Sequence, residues 1–126
     1  MIGYTGHIEE LARANTFFRR VLFTAPHSQL VLMTLQPSEE IGMEVHPDND
    51  QFFRFEIGEG KVVIAGVEYA VKDGDVAIVP AGQQHNVVNT SSANPLKLYT
   101  IYSPAHHPDG TIHKTKAEAL AAEKHE

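Results

Sequence analysis

Residues 74–89 run Gly74-Asp75-Val76-Ala77-Ile78-Val79-Pro80-Ala81-Gly82-Gln83-Gln84-His85-Asn86-Val87-Val88-Asn89. An Asp-Gly turn leads into a short apolar run, a Pro-Ala-Gly turn interrupts it, and a second apolar run opens on His85. The pattern predicts two strands joined by a turn that delivers a histidine at a strand end. The same alternation extends in both directions. Runs rich in Val, Ile, Leu, Phe and Tyr predict strands at Phe17 to Phe23, Gln29 to Leu35, Ile41 to His46, Gln51 to Ile57, Lys61 to Ala65, Val67 to Val71, Asp75 to Val79, His85 to Asn89 and Pro95 to Tyr102. Their short connections favour antiparallel pairing, so the fold class is all-β, as a sandwich or closed barrel. Ile8, Leu11 and Ala12 keep helical spacing, and Thr115 with Glu118 reads as a capping box, so short helices are expected at both ends.

The chain has 126 residues, the size of one compact domain: a barrel core over about 16–103, then a C-terminal loop and helix over 104–126. There is no cysteine, which excludes a disulfide framework and a thiolate zinc site; any metal would be held by nitrogen and oxygen. A net charge of −6 argues against a nucleic-acid partner. Met1 to Arg13 hold no basic start followed by an apolar run, and no stretch nears membrane-spanning length, so a soluble, cytoplasmic protein with no membrane partner is expected. Eight histidines are the unusual feature of the composition.

Side chains two apart on a strand share a face. Glu44 and His46 are then expected to point together, and Gln51 to point inward with Phe53, Phe55 and Ile57, leaving Arg54 and Glu56 to water. His85 follows the Pro80-Ala81-Gly82 turn. Three strands thereby aim four nitrogen and oxygen donors toward one end of the barrel. Glu44 supplies the negative charge that a divalent cation needs, and two histidines with one carboxylate leave coordination positions open. Fe, Mn, Zn and Ni all suit such donors, with Gln51 the weakest ligand.

These residues resemble the small single-domain cupins. Gly74, Pro80, Gly82, His85 and Asn89 keep the spacing of the second cupin motif without a gap, and Glu44, His46, Gln51 and Gly58 keep that of the first. The resemblance implies a jelly-roll β-barrel with one metal ion in its mouth, and a homodimer through the N-terminal strand, here Phe17 to Phe23. Three positions depart from the motif: Ser38 stands where it begins with Gly, Glu44 replaces a His, and Gln51 replaces a Glu.

His106, His107 and His113 flank the turn Pro108-Asp109-Gly110, which either folds across the mouth as a lid or lies on the surface as a solvated turn. His7, His27 and His125 read as surface residues, and Ile64, Ile78 and Val87 join the phenylalanines as core or pocket wall. Gly58-Glu59-Gly60-Lys61 lacks the Ser or Thr and the helix of a phosphate loop. The expected function is a metal-dependent enzyme of oxygenase, isomerase or lyase type acting on a small organic molecule. Tyr99, Tyr102, His107 and His113 are the candidates for acid or base. Two alternatives stand beside it: a non-catalytic barrel that holds a small ligand or metal as sensor or store, and a structural dimer with a vestigial site.

Overall fold

The computed structural model describes residues 2–123. Helix α1 (Ile8–Ala14) precedes β1 (Arg19–Thr24), β2 (Gln29–Leu35), β3 (Asp50–Ile57), β4 (Glu59–Ile64), β5 (Val67–Lys72), β6 (Val76–Val79), β7 (His85–Asn89) and β8 (Leu96–Ser103). A two-residue β9 (Ile112–His113) and α2 (Lys116–Glu123) follow. The bounds of β2 and β7 coincide with those expected, and the Glu118 amide donates to Thr115 Oγ1 at 3.2 Å, the expected cap of α2. His125 and the last residues of the expected C-terminal helix lie outside the described residues.

The strands form two sheets, one of six in the order β6-β3-β8-β2-β1-β9 and one of three in the order β5-β4-β7, all paired antiparallel. Among the described residues the hydrogen bonding does not close into a ring, so of the two expected forms of the all-β fold the structure takes the one with two sheets sharing one core. Met33, Phe53, Phe55, Leu96 and Leu98 from the large sheet pack with Val62, Val71 and Val87 from the small one. β1, the strand expected to engage a second copy, has β2 on one side and β9 on the other.

Three local expectations are also corrected. Residues 41–46 do not form a strand; Glu40 and Glu44 make isolated bridges to Val88 and His85, and Gly42, at φ +109°, breaks the extended run between them. Glu56 does not face water. The register of β3 on β8 shifts between Phe55 and Ile57, and at this bulge Glu56 is buried, with its Oε1 3.4 Å from Arg54 Nε. Ile78 is exposed instead of lining the core, because β6 is an edge strand that places alternate residues outward.

Ser38 adopts φ +65°, so the residue that departs from the first motif's glycine keeps a left-handed backbone, with its amide bonded to Ser91 O at 2.9 Å. Asn89, which ends the second motif, is buried and donates from Nδ2 to the carbonyls of Leu35, Gln36 and Asn94 at 3.1, 3.1 and 2.9 Å. Its Oδ1 accepts from the Ser91 amide at 2.9 Å. The side chain thus ties β7 to the end of β2 and to the loop before β8.

The chain after β8 is held by two buried amides. Gln29 donates to His107 O at 2.7 Å and accepts from the His106 and His107 amides at 3.1 and 3.0 Å, while Asn49 donates to Pro104 O at 2.6 Å. This docking buries much of His107. Burial, reinforced by Arg19 and by the neighbouring His106, His113 and His46, pushes its imidazole down to about 2, so it stays neutral.

Two outcomes are expected. Replacing Asn89 by Ala leaves buried carbonyls unpaired and lowers stability by roughly 2–3 kcal/mol in urea unfolding; a loss within experimental error would show that this tie carries nothing. For His107 the folded value lies below the unfolded 6.5, so its contribution is complete above pH 6.5 and declines as pH falls from there toward 2. Wild type is expected to lose roughly 1 kcal/mol more per pH unit below pH 6 than His107→Gln. Parallel stability curves for the two proteins would contradict the buried, neutral imidazole.

Candidate metal centre

Glu44 and His46 share a site without sharing a strand. The Glu44 amide donates to His85 O at 2.8 Å and the His85 amide to Glu44 O at 2.9 Å, one antiparallel pair that fastens the irregular segment to β7. Two residues on, His46 O accepts from the Gly82 amide at 2.9 Å. Gly82 has φ +85°, a left-handed conformation that its lack of a side chain makes easy, so the Pro80-Ala81-Gly82 turn positions both His46 and His85. Val45 between them faces solvent, while the His46 and His85 side chains are buried. The two-residue spacing therefore delivers its expected outcome through bridges in place of a ladder.

Glu44, His46 and His85 offer ligand atoms that all lie within 4.8 Å of one another. Glu44 Oε2 is 2.7 Å from His46 Nε2, and the two histidine rings are 5.2 Å apart. Gln51, fully inward on β3, joins them: its Nε2 donates to Thr100 Oγ1 at 3.0 Å, which aims Oε1 at His85 Nε2, 3.2 Å away. All four residues expected to bind metal thus converge.

The hydrogen bonding of this cluster is incomplete in a way that fits a cation. His85 Nδ1 lies 3.0 Å from the carbonyl of Gln83. Burial, opposed by that carbonyl and assisted by His46, holds His85 below its ordinary value, so at neutral pH the ring carries one proton. That proton serves either the Gln83 carbonyl or Gln51 Oε1, and both are acceptors. With Nδ1 protonated, as Gln83 favours, His85 Nε2 and Gln51 Oε1 present lone pairs to each other, an arrangement that a bound cation would relieve. His46 Nε2 is likewise buried, with Glu44 Oε2 2.7 Å away. For Glu44, burial alone raises the carboxyl, but His46, then Arg19 and His85, outweigh it and keep the group below its usual range. An ionised oxygen and two imidazole nitrogens with one amide oxygen form a donor set for a borderline dication. The residues present therefore fit the metal that the resemblance implies.

The four candidates for acid or base separate. Tyr102 is buried on β8 with its ring edge-on to His46 at 5.6 Å. Burial, with Glu44 adding to it, raises its phenol far above the ordinary value, so it stays an O–H donor. His107 Nε2 lies 3.3 Å from the Tyr102 hydroxyl, one shell further out. Tyr99, one residue out of phase with the inward face of β8, packs against Phe52 at 6.3 Å, away from the cluster. His113 sits on β9 with Nδ1 3.2 Å from Arg19 Nη1. The ring nearest the cluster is His106, 4.1 Å from His46 and stacked on Tyr102 at 5.3 Å. The sequence marked its loop but favoured its neighbours as candidates, since nothing local distinguishes His106 from His107.

Comparison with known proteins agrees with the fold. The chain is 46% identical over 123 residues to the uncharacterized protein YrkC of Bacillus subtilis, covering 93% of this chain and 66% of that protein. An uncharacterized protein of Acanthamoeba polyphaga mimivirus is 44% identical over 113 residues, covering 86% of this chain and 70% of its own. This chain therefore spans about two thirds of the length of these curated relatives. A crystal structure of a Bacillus halodurans protein superposes with a TM-score of 0.91 at 44% identity, covering 94% of this chain and 93% of that one. The Cupin domain profile matches residues 31–102, which hold all four converging side chains, and with these relatives it shows that the chain belongs to the cupin family.

Proposed function

We propose that this cupin is a metal-dependent enzyme acting on a small organic molecule, with Glu44, His46 and His85 as ligands of one divalent ion and Gln51 as a weaker fourth. The observation that carries the reading is the convergence of Glu44, His46 and His85, whose ligand atoms lie within 4.8 Å of one another, with Gln51 Oε1 3.2 Å from His85 Nε2. Two imidazoles, a carboxylate and an amide suit Fe, Mn, Zn or Ni. Such an ion supplies Lewis acidity toward a substrate oxygen, or redox chemistry if it is iron.

The chain's own groups do the rest. Tyr102 keeps its proton and offers it as a hydrogen bond beside the His46 ring. His106 covers the His46 and Tyr102 rings from the C-terminal loop and shields them from water. Gln29 and Asn49 hold that loop by its backbone, which keeps the cover in register with the cluster. Oxygenase, isomerase and lyase reactions all use such donor sets, and fold alone does not select among them. A homodimer through the N-terminal region belongs to the same proposal and is measured by light scattering.

A second reading, a metal or ligand-binding module without catalysis, is favoured by one observation. Tyr102 cannot give up its proton readily, and His107, held near 2, is a poor base.

Metal analysis of protein purified without chelator tests the site. Wild type is expected to carry roughly one ion per chain, and His46→Ala, His85→Ala and Glu44→Ala to bind it at least about tenfold more weakly, with a smaller loss for Gln51→Ala. Equal metal content in wild type and His85→Ala would defeat the proposed centre. Loaded protein is then assayed for oxygen uptake and for turnover of sugars, diketones and hydroxy acids. Activity that tracks metal content supports the enzyme, and bound metal without turnover supports the binding module.

A further inference from the structure

Arg19 lies at the edge of the same end of the molecule and is not used by the metal centre. It sits on β1, paired in register with Met33 on one side and His113 on the other, and only 4% of its surface is exposed. Among the described residues no carboxylate stands within ion-pair distance of its guanidinium, and its buried Nε has no hydrogen-bond partner. Its recorded partners are His113 Nδ1, 3.2 Å from Nη1, and the Phe18 ring, whose centroid is 5.2 Å from the guanidinium carbon. A buried guanidinium without a counter-charge is strongly unfavourable unless something supplies one.

The space for it is present. A cavity of about 90 Å3 opens beside Arg19, walled by His106, His107 and His113 from the C-terminal loop and β9, and by Glu123 with small residues of α2. The volume corresponds to about three waters, enough for a carboxylate or a tetrahedral oxyanion. Glu123 reaches this cavity from an exposed position without pairing to Arg19. Glu44 feels the field of Arg19, yet it is also the carboxylate of the candidate metal cluster, so a cation there claims the nearest compensating charge.

We propose that Arg19 is the anchor of a small-oxyanion site, separate from the metal centre, in which a carboxylate or sulfate-like group bridges the guanidinium and the loop that covers the mouth. The planar fork of a guanidinium matches two oxygens of such a group, and Arg19 is part of the cavity wall. His106 is a wall of this cavity and also the ring 4.1 Å from His46, so an anion held here fixes the cover over the metal cluster from behind.

The test uses the full chain as purified, in chloride-free buffer of low ionic strength near neutral pH. Selenate and acetate are the probes, read by thermal unfolding and by anomalous scattering from selenate-soaked crystals. A rise in Tm of roughly 2–4 °C at saturating anion is expected, with a selenium peak at the guanidinium. The shift is lost in Arg19→Met, reduced in Arg19→Lys, and retained in His85→Ala, which separates this site from the metal. A response to acetate alone identifies a carboxylate ligand, and one to selenate alone a sulfate- or phosphate-like ligand; either supports the site. If the Met variant does not fold, the wild-type map and the Lys variant still decide. No selenium peak at Arg19 together with no Tm shift for either anion overturns the proposal, and so does a shift of equal size in the Arg19 variants.

Discussion

The pair of backbone hydrogen bonds between Glu44 and His85 is the constraint on which the rest of this site depends. It fastens a segment with no ladder of its own to the first residue of β7, and so brings the first motif's ligands to the second motif's histidine. The Gly82 amide, bonded to His46 O, adds a third tie from the turn that precedes β7. Side-chain convergence follows because these backbones leave Glu44, His46 and His85 few other directions in which to point.

Around that frame several potential metal-binding atoms face one point. His85 has one proton for two acceptors, His46 Nε2 lies 2.7 Å from the Glu44 carboxylate, and Gln51 is turned by Thr100 so that its oxygen faces the cluster. Buried polar groups are normally satisfied. A cluster that departs from this rule at adjacent atoms, with one ionised carboxylate among them, is arranged for a positively charged guest. Its replacements relative to the usual cupin ligands, Glu44 for a histidine and Gln51 for a glutamate, exchange positions of charge without changing the total.

A second departure from the same rule lies behind the first. Among the described residues Arg19 is a buried cation with no ion pair, near a cluster that asks for a cation, and the His106 ring borders the Arg19 cavity and lies 4.1 Å from His46. The C-terminal loop is thus more than a surface turn: two buried amides, Gln29 and Asn49, hold its backbone, and its imidazoles wall both spaces.

Much of this was legible in local sequence. Apolar runs closed by turn residues located β2 and β7 to the residue, the Thr115 cap marked α2, and motif spacing named the four side chains that converge. These features depend on neighbours a few residues away, and the chain carries that information in order. What only the tertiary structure decided depends on distant contacts. Whether two sheets close into a ring, whether β6 lies at an edge and exposes Ile78, and where a bulge leaves Glu56 buried are set by which strand lies beside which. The placement of His106 over His46, sixty residues earlier in the chain, is set by Gln29 and Asn49, whose amides gain partners only once the loop has docked. No periodicity encodes a contact of that kind, because its energy exists only after the intervening chain has folded.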